Sequence, residues 1–221
     1  MSGSRDTDQE LERWCSTIRA AAVHPVIDPE TVAAAGNELL RRWREPHRHY
    51  HTADHLTAVL STVDEWSATA TNPDLVRLAA WCHDAVYDPR AAPGQNERDS
   101  AALASVLLTR CGLSPTAVDE VRRLVLLTDG HQVAPGDRDG ELLCDADLAV
   151  LAAEPNAYDR YARAIRREYG HLPEASFRAG RSAVLRHLLD LPALYRLPGL
   201  AARWTAPARA NLARELAELE S

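Results

Sequence analysis

The 221-residue chain is long enough to bury a core without disulfides and fits one domain. A formal net charge of −7 argues against binding nucleic-acid polymers, which takes a basic field against the phosphates. All 25 basic residues are arginine, which excludes a Schiff-base lysine and a Walker-type phosphate loop but leaves bidentate phosphate-binding groups available.

No stretch nears the run of about twenty apolar residues that spans a bilayer, and Met1-Ser2-Gly3-Ser4-Arg5-Asp6 lacks an apolar signal core, so no membrane association and a cytoplasmic location are expected. Cys15, Cys82, Cys111 and Cys144 form no paired-cysteine motif, which predicts reduced, mostly buried thiols. Leu11, Trp14, Cys15 and Ile18 recur at helical spacing and predict a packing helix over about 8–22. Asp28-Pro29 supplies a cap and a first-turn proline for a second helix through Leu39, Leu40 and Trp43 to Arg44, stopped by Pro46.

Next comes Pro46-His47-Arg48-His49-Tyr50-His51, a short loop with histidines in alternate positions, and then Thr52 as the expected N-cap of a helix carrying Leu56, Val59, Leu60 and Val63. His51 and His55 are four apart, so a helix containing both would present them on one face. His47 and His49 read as solvated, and His24, His171 and His187 have no partner in sequence.

Asn72-Pro73 opens a helix whose apolar face uses Leu75, Leu78, Ala79 and Val86, and the pattern delivers His83 and Asp84 mid-helix. An imidazole beside a carboxylate in an apolar helix costs several kcal/mol to bury unless something compensates, and a divalent metal compensates both groups at once. Cys82 reads as core, because successive helical residues point about 100° apart. The Pro/Gly-rich stretch from Asp88 to Gln95 is a candidate lid. Asn96 is the expected cap of a helix running to Cys111.

Ser114-Pro115 starts another helix, which Gly130 ends, leaving His131 on a junction. An apolar helix beyond Gly140 carries Asp145 and Asp147, carboxylates that again need a reason. Amphipathic helices follow near 155–169, 174–190 and 205–220. The last is either a peripheral cap or a contact between subunits, which makes a homo-oligomer a candidate state. With no alternating strand pattern, the expected fold class is all-α, a single domain over 1–221.

His55, the His83-Asp84 doublet and an aspartate on a later helix, in that order, resemble the HD superfamily of metal-dependent phosphohydrolases. At finer grain, Arg48 to His55, Trp81 to Tyr87, Asn96-Glu97 with Ser100-Ala101, Thr128 with His131, and Asp145-Ala146-Asp147-Leu148 look like a bacterial group of predicted HD phosphohydrolases. Arg166-x-Glu168-Tyr169 and Gly180-Arg181 extend the likeness over roughly residues 40–195. The resemblance implies an HD-like helical bundle with His55, His83, Asp84 and Asp147 as metal ligands. Asp147 is preferred to its rival Asp145 because it precedes Leu148, as the family's aspartate does. Tyr50-His51 followed by His55 is also similar to the tyrosine-histidine motif of cyclic nucleotide phosphodiesterases, which implies His51 as general acid. For His131 three readings stand: ligand of a second ion bridged by Asp84, contact to a substrate phosphate, or a histidine satisfied by a helix C-terminus.

Imidazole and carboxylate ligands without thiolate suit Mn, Fe, Co, Ni or Zn, as one ion or two. Such an ion acidifies its water for in-line attack on phosphorus, which places Asp84 among the catalytic groups as well as the ligands. Arg48 and Arg181 are candidates to neutralise phosphate oxygens, Arg181 against the alternative of a solvated helix face. Glu97 is a candidate to orient water or a histidine, against an ordinary first-turn carboxylate. The expected activity is hydrolysis of a phosphate ester of a small nucleotide-like or phosphorylated metabolite. A di-iron oxygenase, as some members of the superfamily are, and a non-catalytic metal- or nucleotide-binding module are the alternatives.

Overall fold

Apolar spacing in the N-terminal stretch produces helix α1 (Ser2–Ala21), with Trp14 and Ile18 fully buried against α2 (Pro29–Trp43). The two helices approach closely at Gly36, where a Cβ would sit 2.5 Å from the Trp14 ring. Asp28 caps α2 by accepting from the amides of Glu30 and Thr31, as its sequence position predicts. The computed structural model describes residues 2–22 and 28–221, with side chains from Thr7 onward; His24 lies outside the described residues.

Eight further helices follow: α3 (Ala53–Glu65), α4 (Pro73–Cys82), α5 (Gln95–Arg110), α6 (Pro115–Leu127), α7 (Arg138–Asp147), α8 (Pro155–Glu168), α9 (Glu174–Asp190) and α10 (Pro198–Glu220). Short 3-10 turns occupy Ser67–Thr69 and Leu148–Ala152, and no strand occurs among the described residues. The fold is therefore all-α. No described helix is long and apolar enough to cross a membrane.

Two apolar clusters hold these helices. The larger gathers α1 to α7 around Trp14, Trp43 and Trp81, and the smaller gathers Leu148, Tyr158, Leu185 and Leu212 between α8, α9 and α10. Trp204 packs against both. The four cysteines are free, and Cys82, Cys111 and Cys144 are buried.

Three local expectations change. Helix α4 stops at Cys82, so His83 and Asp84 sit at its C-terminal end and not mid-helix. The break has a cause: Arg48 takes the carbonyls of Asp84 and Ala85, and Ser100 takes the backbone of Val86, so these groups are unavailable to continue the helix. Helix α5 is led by Gly94 in a left-handed conformation (φ 69°), while Asn96 instead closes the preceding loop through two hydrogen bonds to the Asp88 backbone. Helix α10 begins at Pro198 and runs through Pro207, which forfeits one backbone bond; burial of Leu200, Ala208 and Leu212 outweighs that loss. Its inner face packs within the chain, against α9 and the Leu148–Ala152 turn.

Candidate metal centre

Four helix ends converge on one point. His55 stands in the first turn of α3, His83 and Asp84 follow the last residue of α4, Asp147 is the last residue of α7, and His131 lies in the turn after α6. His55 Nε2 is 3.2 Å from His83 Nε2, 3.1 Å from Asp147 Oδ1 and 3.9 Å from Asp84 Oδ2. His83 Nε2 is 3.3 Å from Asp84 Oδ2 and 3.4 Å from Asp147 Oδ1.

His55, His83 and Asp84 each offer a donor within 4.8 Å of one another, as ligands of one ion would, and Asp147 Oδ1 lies close to both histidines. With ligand bonds of about 2.1 Å, neighbouring donors lie about 3.0 Å apart at a right angle and about 3.4 Å apart at the tetrahedral angle. His83 Nδ1 donates to the Ala80 carbonyl at 2.8 Å, which leaves Nε2 facing the cluster, the outer-ligand arrangement typical of metal-binding histidines. Among the described residues no arginine hydrogen-bonds either carboxylate, so positive charge must come from the imidazoles or from a cation.

The electrostatics agree. Burial works to raise the carboxyls of Asp84 and Asp147, but the neighbouring imidazoles, His83 foremost, hold both well below the usual carboxylate range. Burial works to lower His83, and the charges of Asp84 and Asp147 lift it well above its ordinary value. For His55 burial prevails, and its pKa falls despite Asp147. Protons on the imidazoles thus balance two buried carboxylates, a balance that a divalent ion supplies while leaving the imidazoles neutral. The donor set fits Mn, Fe, Co, Ni or Zn.

His51 is not on the α3 face with His55, because the helix starts at Ala53 and Thr52 holds the N-cap position without a side-chain bond. Its ring nevertheless reaches the cluster, with Nε2 3.9 Å from Asp84 Oδ2. The other nitrogen, Nδ1, donates to Glu168 Oε2 at 2.7 Å. Glu168 Oε1 accepts the amides of His49, Tyr50 and His51 at 2.7, 2.8 and 2.9 Å, and Oε2 also accepts the Tyr87 hydroxyl. Burial opposes ionisation of Glu168, yet His51 and these backbone donors hold its carboxyl at about 2. Burial likewise opposes charge on His51, but Asp84 and Glu168 raise its pKa. Sequence reasoning carried Glu168 inside Arg166-x-Glu168-Tyr169 without giving it a role. Its partners lie 81 to 119 residues upstream, and its only local signal is a position one turn after the buried Ile165.

His131 adopts φ 55°, a left-handed conformation uncommon outside glycine, directly after Gly130 at φ 82°. This turn aims its Nε2 at Asp147 Oδ2, 2.8 Å away, while Arg196 holds its carbonyl. The ring therefore engages the cluster and is not simply satisfied by the end of α6. Glu97 lines the adjoining cavity; burial raises its carboxyl, helped by the charges of Asp84 and Asp129.

The phosphate-contact reading of both arginines requires correction. Arg48 is buried, with Nη1 on the carbonyls of His51 and Asp84, Nη2 on that of Ala85, and Nε and Nη2 on Glu45. It straps the His51 loop to the end of α4. Arg181 lines the cavity, but its Nε and Nη2 form a two-point pair with buried Glu215, and Nη2 also reaches the Tyr161 hydroxyl. Asp145 is likewise structural: both oxygens accept the amide of Arg196, and Oδ2 that of Leu197, fixing the entry into α10. No residue from Asp88 to Gln95 lines the cavity, although Gly94 lies against Asp129, which does. Cys82 is fully buried, and burial pushes its thiol up to about 12, unlike a ligand thiolate.

The cavity measures about 630 Å³. His51, Glu97, His131 and Asp147 form its polar end, with His55 and His83 behind them, and the remaining wall comes mainly from the 148–151 turn, α8 and α9. No protein-family model matches the sequence, and no curated protein or solved structure matches it either.

Proposed function

We propose that the protein is a metal-dependent phosphohydrolase of the HD type, cleaving a phosphate ester of a small metabolite. The observation that carries this reading is the convergence of His55, His83, Asp84 and Asp147, beside His51, whose pKa its neighbouring carboxylates raise, and at the end of a cavity. These four residues would hold the ion. A divalent ion bound there supplies Lewis-acid polarisation of a phosphoryl oxygen and acidifies water for attack.

The chain's own groups supply the rest. In hydrolysis a water oxygen forms the new bond to phosphorus while the bond to the ester oxygen breaks, and that oxygen needs a proton as it leaves. His51 is placed to donate it from Nε2, with Nδ1 held by Glu168, which orients the ring and favours its protonated form. His131 fixes the outer oxygen of Asp147. Glu97 faces the same end of the cavity and is available to orient the attacking water.

The test is orthophosphate release from a panel of phosphate esters. Purified protein treated with a chelator should lose activity, and Mn, Co or Ni should restore it. A His83→Ala variant that keeps its helical circular dichroism should be inactive. Turnover that survives both chelation and His83→Ala would sink the reading.

A further inference from the structure

Beyond its polar end, the cavity is mainly apolar. Tyr161, Tyr169, Phe177, Leu148, Leu188 and Val184 line it, and Val184 is 49% exposed, one of two large apolar side chains so exposed among the described residues. The lone arginine in this lining is Arg181, whose Nε and Nη2 are committed to Glu215 and Tyr161. Thr128, also on the wall, gives its hydroxyl to the Val125 carbonyl. The polar groups left on this wall are Arg181 Nη1, His187 and the tyrosine hydroxyls, outnumbered by apolar side chains, so apolar ligand surface bound here would be removed from water.

We infer that the cavity takes an uncharged, apolar group of one or two rings, carried on a single phosphoryl group that sits at the His51–Asp147 end. The inference rests on the phosphohydrolase reading for the phosphoryl group, and narrows the substrate class to monoesters of apolar, ring-sized alcohols or phenols in preference to nucleoside polyphosphates. Size supports it: about 630 Å³ falls in the range of small-molecule sites and is ample for a two-ring group. Gly180 supplies a specificity position. It is an exposed residue of α9 among those lining the cavity, and a Cβ built there meets nothing within 4 Å, so a larger side chain is accommodated beside the cavity without disturbing the helix.

The test uses binding, which does not depend on turnover. Calorimetry of Mn-loaded protein should give an affinity for 1-naphthylmethylphosphonate at least thirtyfold above that for methylphosphonate, with adenosine diphosphate no tighter than methylphosphonate. Gly180→Leu should weaken the naphthyl probe at least tenfold and methylphosphonate less than threefold. Equal affinity for the two phosphonates, preference for the diphosphate, or a naphthyl affinity unmoved by Gly180→Leu would overturn the inference. The two readings fail separately. Tight naphthyl binding without hydrolysis of 1-naphthyl phosphate would remove the hydrolase and keep the ligand class, while turnover of polar esters without naphthyl preference would do the reverse.

Discussion

Glu168 and His51 stand 117 residues apart in the chain and 2.7 Å apart in space, and the carboxylate that holds the histidine also gathers three consecutive amides of the His51 loop. One buried side chain thereby sets both the position of the loop and the charge of its histidine. Removing the charge while keeping the shape, in Glu168→Gln, should lower kcat roughly ten- to hundredfold. Glu168 raises the pKa of His51, so its loss should also move the alkaline limb of the pH–rate profile to lower pH. Metal content should not change. A fall in rate with an unmoved profile would make Glu168 a structural residue only.

The same carboxylate predicts the acid stability of the fold. Its folded pKa, about 2, lies below the value of about 4.3 for an unfolded glutamate. Stability from its ionisation is therefore fully present above the unfolded pKa and is lost as pH falls through about 2, with a ceiling on the order of 3 kcal/mol. Urea unfolding of metal-free protein should show wild type above Glu168→Gln at pH 6, with the gap closing between about pH 5 and 2. A gap constant with pH would remove the ionic part of this account.

How much of this was legible in sequence follows from the range of each interaction. Asp28-Pro29 and Ser114-Pro115 announce their helices because a cap acts within four residues, and both side chains make the expected bonds. His83-Asp84 and the Asp145/Asp147 pair stand out as polar groups in apolar stretches, whereas His55 as a ligand and the choice of Asp147 rest on the family resemblance. What sequence could not give was the destination of a long side chain. Arg48 beside three histidines reads as an anion contact, and only the folded chain brings the carbonyls of Asp84 and Ala85 to its guanidinium. Asp145 and Asp147 look alike in the chain, but they point about 200° apart around α7. One meets the amides of Arg196 and Leu197 and the other meets His55 and His83.

His131 tests the number of ions. Its Nε2 binds the outer oxygen of Asp147, while the inner oxygen faces His55 and His83, so its geometry is that of a residue orienting a ligand. Protein purified without added metal should carry one equivalent per chain by elemental analysis. His131→Ala should keep that stoichiometry when saturated and weaken affinity roughly ten- to hundredfold, the usual effect of removing an outer-shell partner. Two equivalents falling to one would instead make the site binuclear with His131 as a ligand, and abundant iron would then promote the oxygenase reading.

Arg48 separates a strap from a substrate contact. Its buried guanidinium satisfies the carbonyls of His51, Asp84 and Ala85 and pairs with Glu45, so truncation leaves buried acceptors and a carboxylate without partners. Arg48→Met should cost about 3–5 kcal/mol, which for a chain of this length lowers Tm by roughly 10 °C. Arg48→Lys keeps the charge but cannot span all three carbonyls, and should fall between wild type and Arg48→Met. Measured on the fraction that remains folded and metal-loaded, KM should stay within a few-fold of wild type in Arg48→Lys, because no part of the guanidinium faces the cavity. A tenfold or greater rise in KM at unchanged Tm would return Arg48 to the substrate and remove the strap.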